Sequence, residues 1–407
     1  MAEIYRGSTF APVNIAVIKY WGKRDTKLNL PTNASLSVTL SQDDLRTHTT
    51  ASCSSDYTKD SLTLNDADQD ISGARTQACL AELRKLRSDL EASDSSLPKL
   101  SSMHLKIVSK NNFPTAAGLA SSAAGFAALV VAIARLYSLD TVMSASDLSR
   151  IARQGSGSAC RSVLGGYVGW HKGEQEDGSD SVAYEVAPAS HWPEMRAVIL
   201  VASDKKKDVS STAGMQQTVA SSTLFQHRIA DVVPKRMKAM EKAIHNRDFE
   251  AFATLTTKDS NNFHACCMDT QPPIFYMNDT SKAAVRICEA INAAQEDEKS
   301  ICAYTFDAGP NAVVYYLAEH ENDVAGTFKS ILGDVTGKSA FSSEVALIGL
   351  TTLLGWEGPR GSAINAAQSS SLPAGSETAA ELLKKGVSRV ILTSVGDGPR
   401  KTDEHLV

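Results

Sequence analysis

Residues 112–125, Asn-Phe-Pro-Thr-Ala-Ala-Gly-Leu-Ala-Ser-Ser-Ala-Ala-Gly, are the stretch that decides the fold. Before it, residues 103–108 alternate between apolar and mostly polar side chains, which predicts a strand; after it, the apolar run 126–137 predicts a buried helix. The small residues between them let a ligand approach the backbone closely. Ser121 and Ser122 stand at the expected N-terminus of the helix, where free N–H groups and a partial positive charge favour a phosphate. The alternative is a serine-capped helix that only packs tightly through Ala and Gly.

Two familiar nucleotide-binding motifs are absent. A Walker loop requires Gly-Lys-Ser/Thr at the start of the helix, but Gly125 is followed by Phe126. Residues 155–160 begin like a dinucleotide fingerprint, yet Cys160 occupies the third glycine position and the preceding stretch, 145–154, has a helical pattern. A Rossmann site is therefore not expected.

Composition restricts the class of protein. The chain has 407 residues, 43% hydrophobic and 21% charged, which suits a globular protein of two domains. Its net charge of −5 argues against a nucleic-acid partner. We expect no membrane span and no signal peptide, because long apolar runs are missing. The seven cysteines form no CxxC pair and the nine histidines no metal-ligand spacing, so we expect a cytoplasmic protein with reduced thiols and no protein-bound metal.

The order of predicted elements indicates an α+β protein. The proline-rich stretch 188–193 punctuates the middle of the chain, and we place the domain boundary there, with domains 1–190 and 191–407. The predicted strands cover 13–18, 34–40, 165–170, 196–202, 301–306, 312–317 and 387–395. The predicted helices cover 73–90, 145–154, 221–246, 248–258, 280–295 and 377–385.

Two further segments in the first half combine cations with hydroxyl or aromatic groups. In 14–24 (NIAVIKYWGKR), a strand ends in three cations and two aromatic residues, which suits an anionic substrate. The alternative is a solvated strand end, with Lys19 and Lys23 extending along apolar surface. Segment 155–161 offers two serine hydroxyls, close backbone approach at Gly157 and the planar guanidinium of Arg161, which suit a carboxylate or phosphate. The alternative is an ordinary loop with a surface arginine.

Two segments in the second half complete the inventory. In 203–214, a lysine run precedes three hydroxyl residues, which suits either a phosphate or a helix cap. In 305–312 (TFDAGPNA), Asp307 lies in a Gly-Pro turn between two predicted strands, and the alternative is a local Asx turn. Phosphate binders, one arginine and one carboxylate together indicate phosphoryl transfer, in which positioning and charge neutralisation do most of the catalysis.

At four of these segments the chain resembles the mevalonate diphosphate decarboxylases of the GHMP kinase superfamily. The matching motifs are NIAVIKYWGKR (14–24), NFPTAAGLASSAAG (112–125), GSGSACRS (155–162) and FDAGPN (306–311). The resemblance runs from about residue 9 to about residue 400. It implies a two-lobed GHMP kinase fold, with an N-terminal lobe like ribosomal protein S5, a ferredoxin-like C-terminal lobe and the active site in the cleft between them.

The resemblance also implies a reaction and a catalytic set. ATP would phosphorylate the 3-hydroxyl of mevalonate 5-diphosphate, and phosphate and CO2 would then leave to give isopentenyl diphosphate. Asp307 would be the catalytic carboxylate, and Arg161 would hold the substrate carboxylate beside Asn14, with Lys23 as a further catalytic residue. An ionised Asp307 is expected near an arginine and a lysine, because opposite charges favour the charged form.

The remaining residues carried over from the family bind the two substrates. The expected residues for mevalonate diphosphate are Tyr20, Trp21, Gly22, Lys23, Arg75, Ser156, Gly157, Ser158, Ala159, Cys160, Arg161 and Thr212. The expected residues for ATP are Asn112, Gly118, Ala120, Ser121 and Ser122, with Mg2+ accompanying the nucleotide. The resemblance further implies a homodimer.

Two other functions remain open from the sequence. A mevalonate or phosphomevalonate kinase would stop at the phosphate ester and would not need an arginine aligned for loss of CO2. A catalytically dead binding protein on the same fold would have no reason to keep Asp307, Lys23 and Arg161 together.

Overall fold

Strands from both halves of the chain form three larger sheets and one short hairpin in the part of the chain described here. The structure, a computed structural model, describes residues 2–113, 121–202, 208–297, 299–335, 355–356, 358–366 and 375–407. Its strands are β1 (Tyr5–Pro12), β2 (Asn14–Ile18), β3 (Lys23–Asp25), β4 (Leu30–Pro31), β5 (Ser35–Thr39), β6 (Arg46–Ser54), β7 (Ser61–Leu64), β8 (Ala67–Gln69), β9 (His104–Asn111), β10 (Tyr167–Trp170), β11 (Ala183–Ala187), β12 (Met195–Val201), β13 (Cys302–Phe306), β14 (Ala312–Leu317), β15 (Arg389–Ser394) and β16 (Arg400–Lys401).

Helices alternate irregularly with these strands, which confirms the α+β class. The described helices are α1 (Ala74–Ser93), α2 (Ser121–Leu136), α3 (Ala145–Gly155), α4 (Ser211–Ser221), α5 (Thr223–His227), α6 (Val233–Asn246), α7 (Phe249–Met268), α8 (Asp279–Ala293), α9 (Glu321–Leu332), α10 (Pro359–Ala363) and α11 (Glu377–Gly386). A π-helical turn, Arg228–Val232, joins α5 to α6, and a 3-10 helix, Gly157–Val163, follows α3.

The first sheet, in the order β16-β1-β6-β9-β7-β8, is covered by α2. The predicted strand and helix on either side of residues 112–125 are confirmed as β9 and α2. The alanine-rich face of α2 is fully buried, and it lies so close to β1 that a Cβ on Gly7 would be 2.4 Å from the backbone nitrogen of Leu136. Small residues on both elements therefore allow this close packing.

The second sheet (β11-β10-β5-β2) and the third sheet (β13-β14-β12-β15) share one hydrophobic core with α6 and α7. Because side chains alternate along a strand, β12 serves two cores. Ala197 and Ile199 face the shared core, whereas Val198 and Leu200 face a second core beneath α8, α9 and α11. The two halves of the chain are thus joined by apolar packing that includes Ile15, Val17 and Ile18 of β2.

Two helix predictions differ from the structure. The helix predicted over 221–246 begins at Thr223, where Ser222 ends α4 and caps α5 by accepting from the N–H of Phe225, and it contains the π-helical turn between α5 and α6. The helix predicted over 248–258 continues to Met268. Within the part of the chain described, no helix is long and apolar enough to cross a membrane.

Candidate active site

A cavity of about 260 Å³ lies where β2, α2, α4 and α7 approach one another. Residues far apart in sequence line it, because the end of β2, the start of the 3-10 helix and the β13–β14 turn all lie beside it. Its lining residues are Asn14, Ala16, Lys19, Tyr20, Trp21, Lys23, Arg75, Ser121, Ser122, Ser156, Gly157, Ser158, Arg161, Ser211, Thr212, Met215, Phe263, Asp307 and Ala308.

Lys19 and Asp307 form an ion pair in this cavity. The Nζ of Lys19 lies 2.7 Å from the Oδ1 of Asp307, and their side chains are 3% and 32% exposed. Burial lowers the pKa of Lys19, and the attraction of Asp307 opposes that effect. Lys19 was not among the expected site residues. It directly follows β2, which is buried throughout, and a lysine next to a buried strand could have been recognised as a candidate.

Arg161 is held rigidly in the wall of the same cavity. Its Nε donates to the Oδ1 of Asn14 at 3.2 Å and to the Oγ of Ser37 at 3.0 Å, and its Nη1 donates to the Oγ of Ser35 at 2.5 Å. Arg161 as a whole is 2% exposed, and the central carbon of its guanidinium lies 5.7 Å from the ring centre of Trp170. Because a 3-10 helix repeats every three residues, Ser158 and Arg161 share one face and both reach the cavity.

Asn14 connects this arginine to the 3-10 helix. Its Nδ2 donates to the carbonyl of Ser158 at 3.1 Å and to the Oγ of Ser162 at 2.7 Å. The side-chain amide is therefore oriented from both ends, with Oδ1 towards Arg161. The structure brings Asn14, Arg161 and Asp307 to one cavity, as the sequence motifs led us to expect.

Lys23 and Arg75 add positive charge at the mouth of the cavity. Lys23 donates to the Oδ1 of Asn29 at 2.7 Å, and burial together with the charge of Arg75 lowers its pKa to about 8. Arg75 donates from Nη2 to the Oγ1 of Thr212 at 3.0 Å. Thr212 lies in the first turn of α4, whose Ser210 cap accepts from the N–H of Ala213. Two cations and a helix N-terminus face one space, which suits a multiply charged anion.

The serines at the start of α2 stand between this cavity and a second one of about 360 Å³. Ser121 and Ser122 line both, and the Oγ of Ser122 lies 3.3 Å from the Oγ of Ser156. The second cavity is lined by Thr49, Leu62, Leu64, Gln69, Asp70, Thr76, Ile107, Ser109, Asn111, Ser121, Ser122, Gly125, Phe126 and Leu129. A polar, cationic space and a more apolar one therefore meet at a helix N-terminus.

Of the other expected ATP residues, the structure describes Asn112. Asn112 lies outside the lining of both cavities: its Oδ1 accepts from the N–H of Arg46 and its Nδ2 donates to the carbonyl of Asp44. It anchors the end of β9. Gly118 and Ala120 lie outside the described residues, as does the lysine run 205–207.

Tyr20, Trp21 and Gly157 form the cavity wall together. The indole N–H of Trp21 donates to the Oγ1 of Thr218 at 3.0 Å, and its ring packs edge-on against Phe263. A Cβ on Gly157 would lie 2.8 Å from the Tyr20 ring, so any larger residue there would displace that ring. Contacts with neighbouring residues therefore fix the positions of both aromatic rings, and the rings in turn form part of the cavity wall.

Three expected substrate residues lie behind that wall. Ala159 and Cys160 are fully buried, and the Sγ of Cys160 donates to the carbonyl of Gly157. Burial raises the pKa of Cys160 to about 12, so it stays a thiol. Gly22 has φ of +82°, and a Cβ there would lie 2.6 Å from Phe225. Besides Lys19, sequence reasoning missed the lining residues Ala16, Ser211, Met215, Phe263 and Ala308.

The arrangement has a clear chemical capacity. Lys19, Lys23, Arg75 and Arg161 supply positive charge around the carboxylate of Asp307, which remains partly accessible. Such a site can hold a substrate with several negative charges and accept a proton from a hydroxyl placed at Asp307. Hydroxyls at the start of α2 add a helix N-terminus to the site, which suits a phosphate group.

Comparisons with known proteins agree along the whole chain. Residues 11–183 match the family model of the diphosphomevalonate decarboxylase-like N-terminal domain, and residues 197–402 match that of the mevalonate 5-diphosphate decarboxylase C-terminal domain. The chain is 62% identical over 406 residues to diphosphomevalonate decarboxylase ERG19 of Gibberella zeae, covering 99% of each sequence.

Solved structures show the same likeness. An X-ray structure of mevalonate 5-diphosphate decarboxylase superposes with a TM-score of 0.85 at 54% identity, covering 99% of this chain and 98% of that one. MDDEF, solved in complex with MVAPP, AMPPCP and magnesium, superposes with a TM-score of 0.70 at 28% identity, covering 99% of this chain and all of that chain (100%).

Proposed function

The chain belongs to the mevalonate 5-diphosphate decarboxylase family, and we propose that its cavity carries out the ATP-dependent decarboxylation of mevalonate 5-diphosphate. The products are isopentenyl diphosphate, ADP, phosphate and CO2, which makes the protein a carbon–carbon lyase of the mevalonate pathway to isoprenoids and sterols. The observation that carries the proposal is the convergence of Lys19, Asp307 and Arg161 on one cavity, within a chain 62% identical to a diphosphomevalonate decarboxylase.

The substrate is oriented by charge at both of its ends. Arg161 binds the substrate carboxylate, a role supported by the rigid hydrogen bonding of its guanidinium. Lys23, Arg75 and Thr212 bind the diphosphate at the mouth of the cavity. Anchoring both ends places the 3-hydroxyl near Asp307, and such positioning lowers the entropic part of the barrier.

ATP occupies the space shared by the two cavities. Its phosphates lie at Ser121 and Ser122, and its base enters the more apolar second cavity. Among the described residues, no group of three or more His, Cys, Asp or Glu side chains could hold a metal. Mg2+ would be held by the ATP phosphates, with the serine hydroxyls of α2 and the Asp307 carboxylate as the oxygen ligands available in the same site. When bound, it neutralises phosphate charge.

The reaction proceeds in two stages. The 3-hydroxyl oxygen bonds to the γ-phosphorus of ATP, the bond to ADP breaks, and the hydroxyl proton passes to Asp307. Lys19 holds the Asp307 carboxylate in place through this step. The bond from the carboxylate carbon to C2 then breaks as CO2 leaves, its electron pair forms the C2–C3 double bond, and the C3–O bond breaks to release phosphate. Phosphorylation makes the tertiary alcohol oxygen a good leaving group, and Arg161 keeps the breaking bond aligned.

We also propose that the enzyme is cytoplasmic, which is supported by its seven free cysteines. We propose that it forms a homodimer. Each subunit would have two lobes, 1–190 and 191–407. Light scattering on the purified protein measures the dimer, and a monomer at working concentration would contradict it. Expression and limited proteolysis of the two lobes test the boundary.

One assay tests the function. ADP release and CO2 release are measured together with mevalonate 5-diphosphate, the monophosphate or free mevalonate as substrate. We expect equal amounts of ADP and CO2 with the diphosphate only. ADP without CO2 would indicate a kinase, and no ADP with any of the three would indicate a binding protein.

A further inference from the structure

A fully buried carboxylate lies directly behind the Lys19–Asp307 pair. Asp259, on α7, is 0% exposed. Its two oxygens accept from Arg228 Nη1 and Nη2, both at 2.9 Å, and Oδ1 also accepts from Arg236 Nη1 at 3.0 Å. Burial raises the pKa of Asp259, but the two arginines and a backbone N–H outweigh it and lower the pKa below its usual value. The carboxylate is therefore ionised and rigidly oriented.

This cluster holds the main chain of Lys19 on both sides. The Lys19 N–H donates to the Oδ2 of Asp259 at 2.7 Å. The Lys19 carbonyl accepts from Arg228 Nη2 at 3.1 Å and from the Nδ2 of Asn33 at 3.0 Å. Lys19 follows the last residue of β2, where strand pairing no longer orients the backbone, so these bonds replace it.

The next residue of α7 holds the other member of the ion pair. The Oγ of Ser260 accepts from the N–H of Phe306 at 3.1 Å, one residue before Asp307. Ser260 is also fully buried. Phe263, four residues after Asp259 and thus on the same face of the helix, lines the cavity. Adjacent residues on one rigid helix therefore fix Lys19 from the N-terminal half and Asp307 from the C-terminal half.

We propose that Asp259 and Ser260 are positioning residues that set the separation of the Lys19 ammonium and the Asp307 carboxylate. The inference rests on the proposed function, in which Asp307 accepts the hydroxyl proton. Replacing a buried ion cluster by well-packed apolar residues of similar volume is often neutral or stabilising, so stability alone does not account for this cluster, whereas its bonds to the backbone of Lys19 do. A misplacement of about 1 Å at the reacting groups costs about 10²-fold in rate.

The test is a double-substitution cycle in the full-length enzyme. We expect Asp259→Asn to lower kcat about 10- to 100-fold with KM changed less than about threefold, because it acts on the reacting groups and not on substrate anchoring. In a Lys19→Met background, where no ammonium remains to be positioned, Asp259→Asn should lower kcat less than about threefold further. Equal losses in both backgrounds would overturn the inference.

A matched control separates positioning from stability. Arg87 and Glu91 form another buried pair, with Nε to Oε1 at 2.9 Å. Glu91 lies sixteen residues after Arg75 on α1, about 24 Å from it along the helix. Glu91→Gln should lower the melting temperature while kcat stays as in the native enzyme. A comparable loss of kcat in Glu91→Gln would also overturn the inference.

Ser260→Ala keeps the test open if Asp259→Asn does not fold. It removes one hydroxyl acceptor and no charge, and we expect kcat to fall about threefold or more at constant KM. Its control is Ser149→Ala, since the buried Oγ of Ser149 accepts from the N–H of Ala183 at 2.9 Å away from the cavity. Equal kcat in Ser260→Ala and Ser149→Ala would overturn the inference. Failure of the proposed function is seen separately, as absence of CO2 release by the native enzyme.

Discussion

Replacing Asp307 by asparagine removes the negative charge of the central ion pair and the proton acceptor together. The Nζ of Lys19 and the Oδ1 of Asp307 are 2.7 Å apart, and two unit charges at that distance attract by about 6 kcal/mol at an effective dielectric constant of about 20. An asparagine cannot replace this attraction, so the buried ammonium of Lys19 loses the largest effect that opposes the lowering of its pKa by burial, and only the charge of Asp259 still opposes it.

The expected effect is confined to turnover. Loss of a general base costs about 10²- to 10⁴-fold in rate, or about 2.7–5.4 kcal/mol of barrier. ATP binding should stay nearly intact, because Asp307 is not part of the second cavity or of the helix N-terminus at Ser121 and Ser122. We expect kcat to fall by at least about 10²-fold while the Kd of ATP, measured by calorimetry, changes little.

The matched control is Asp60→Asn. Asp60 and Arg84 also form a 2.7 Å pair, with side chains 17% and 26% exposed, but neither residue lines the cavity. This variant should keep native kcat even where its melting temperature falls. A kcat within threefold of the native value in Asp307→Asn would refute the catalytic role, and equal losses in both variants would show a general effect of breaking an ion pair.

Four further experiments examine other parts of the site. Because burial and Arg75 lower the pKa of Lys23 to about 8, kcat/KM for mevalonate diphosphate should fall as pH rises through about 8, where Lys23 loses its charge. In Lys23→Arg, which stays protonated, that fall should move to higher pH, and an unchanged profile would contradict the assignment. Arg75→Ala should raise the KM of the diphosphate substrate about tenfold with kcat within about threefold, since it removes one exposed cation; an unchanged KM in steady-state assays would reject a diphosphate contact. Gly22→Ala should lower the free energy of unfolding by more than about 1 kcal/mol in urea titrations, because Gly22 has positive φ and no room for a Cβ, whereas Gly73→Ala, with open space around it, should change it little. Removal of Mg2+ with EDTA should abolish ADP release and leave the melting temperature unchanged, because the metal accompanies ATP; a lower melting temperature would indicate a structural metal.

Local sequence patterns were sufficient for the elements nearest the site. The alternation before residue 112 and the apolar run after residue 125 predicted β9 and α2, since both patterns depend on which face of a single element is buried. The π-helical turn Arg228–Val232 within the helix predicted over 221–246 was missed, because apolar periodicity does not reveal a local change in the backbone hydrogen-bond pattern. The sequence did not reveal that the side chain of Asn112 bonds to the backbone of Arg46 and Asp44, because those partners lie about 66 residues earlier in the chain; its role at ATP stays a prediction.

The amino-acid sequence alone determined the chemical inventory: a small-residue turn with serines at a helix start, cations after a strand, one arginine in a Gly-Ser segment and one aspartate in a Gly-Pro turn. Only the tertiary structure decided which of these groups meet. From the sequence, Lys19 could equally have been a solvated residue at a strand end. Its pairing with Asp307, 288 residues later, depends on β2 and β13, from different halves of the chain, both ending at α7. Charge pairing and burial are properties of the space around a side chain, and packing between distant segments creates that space.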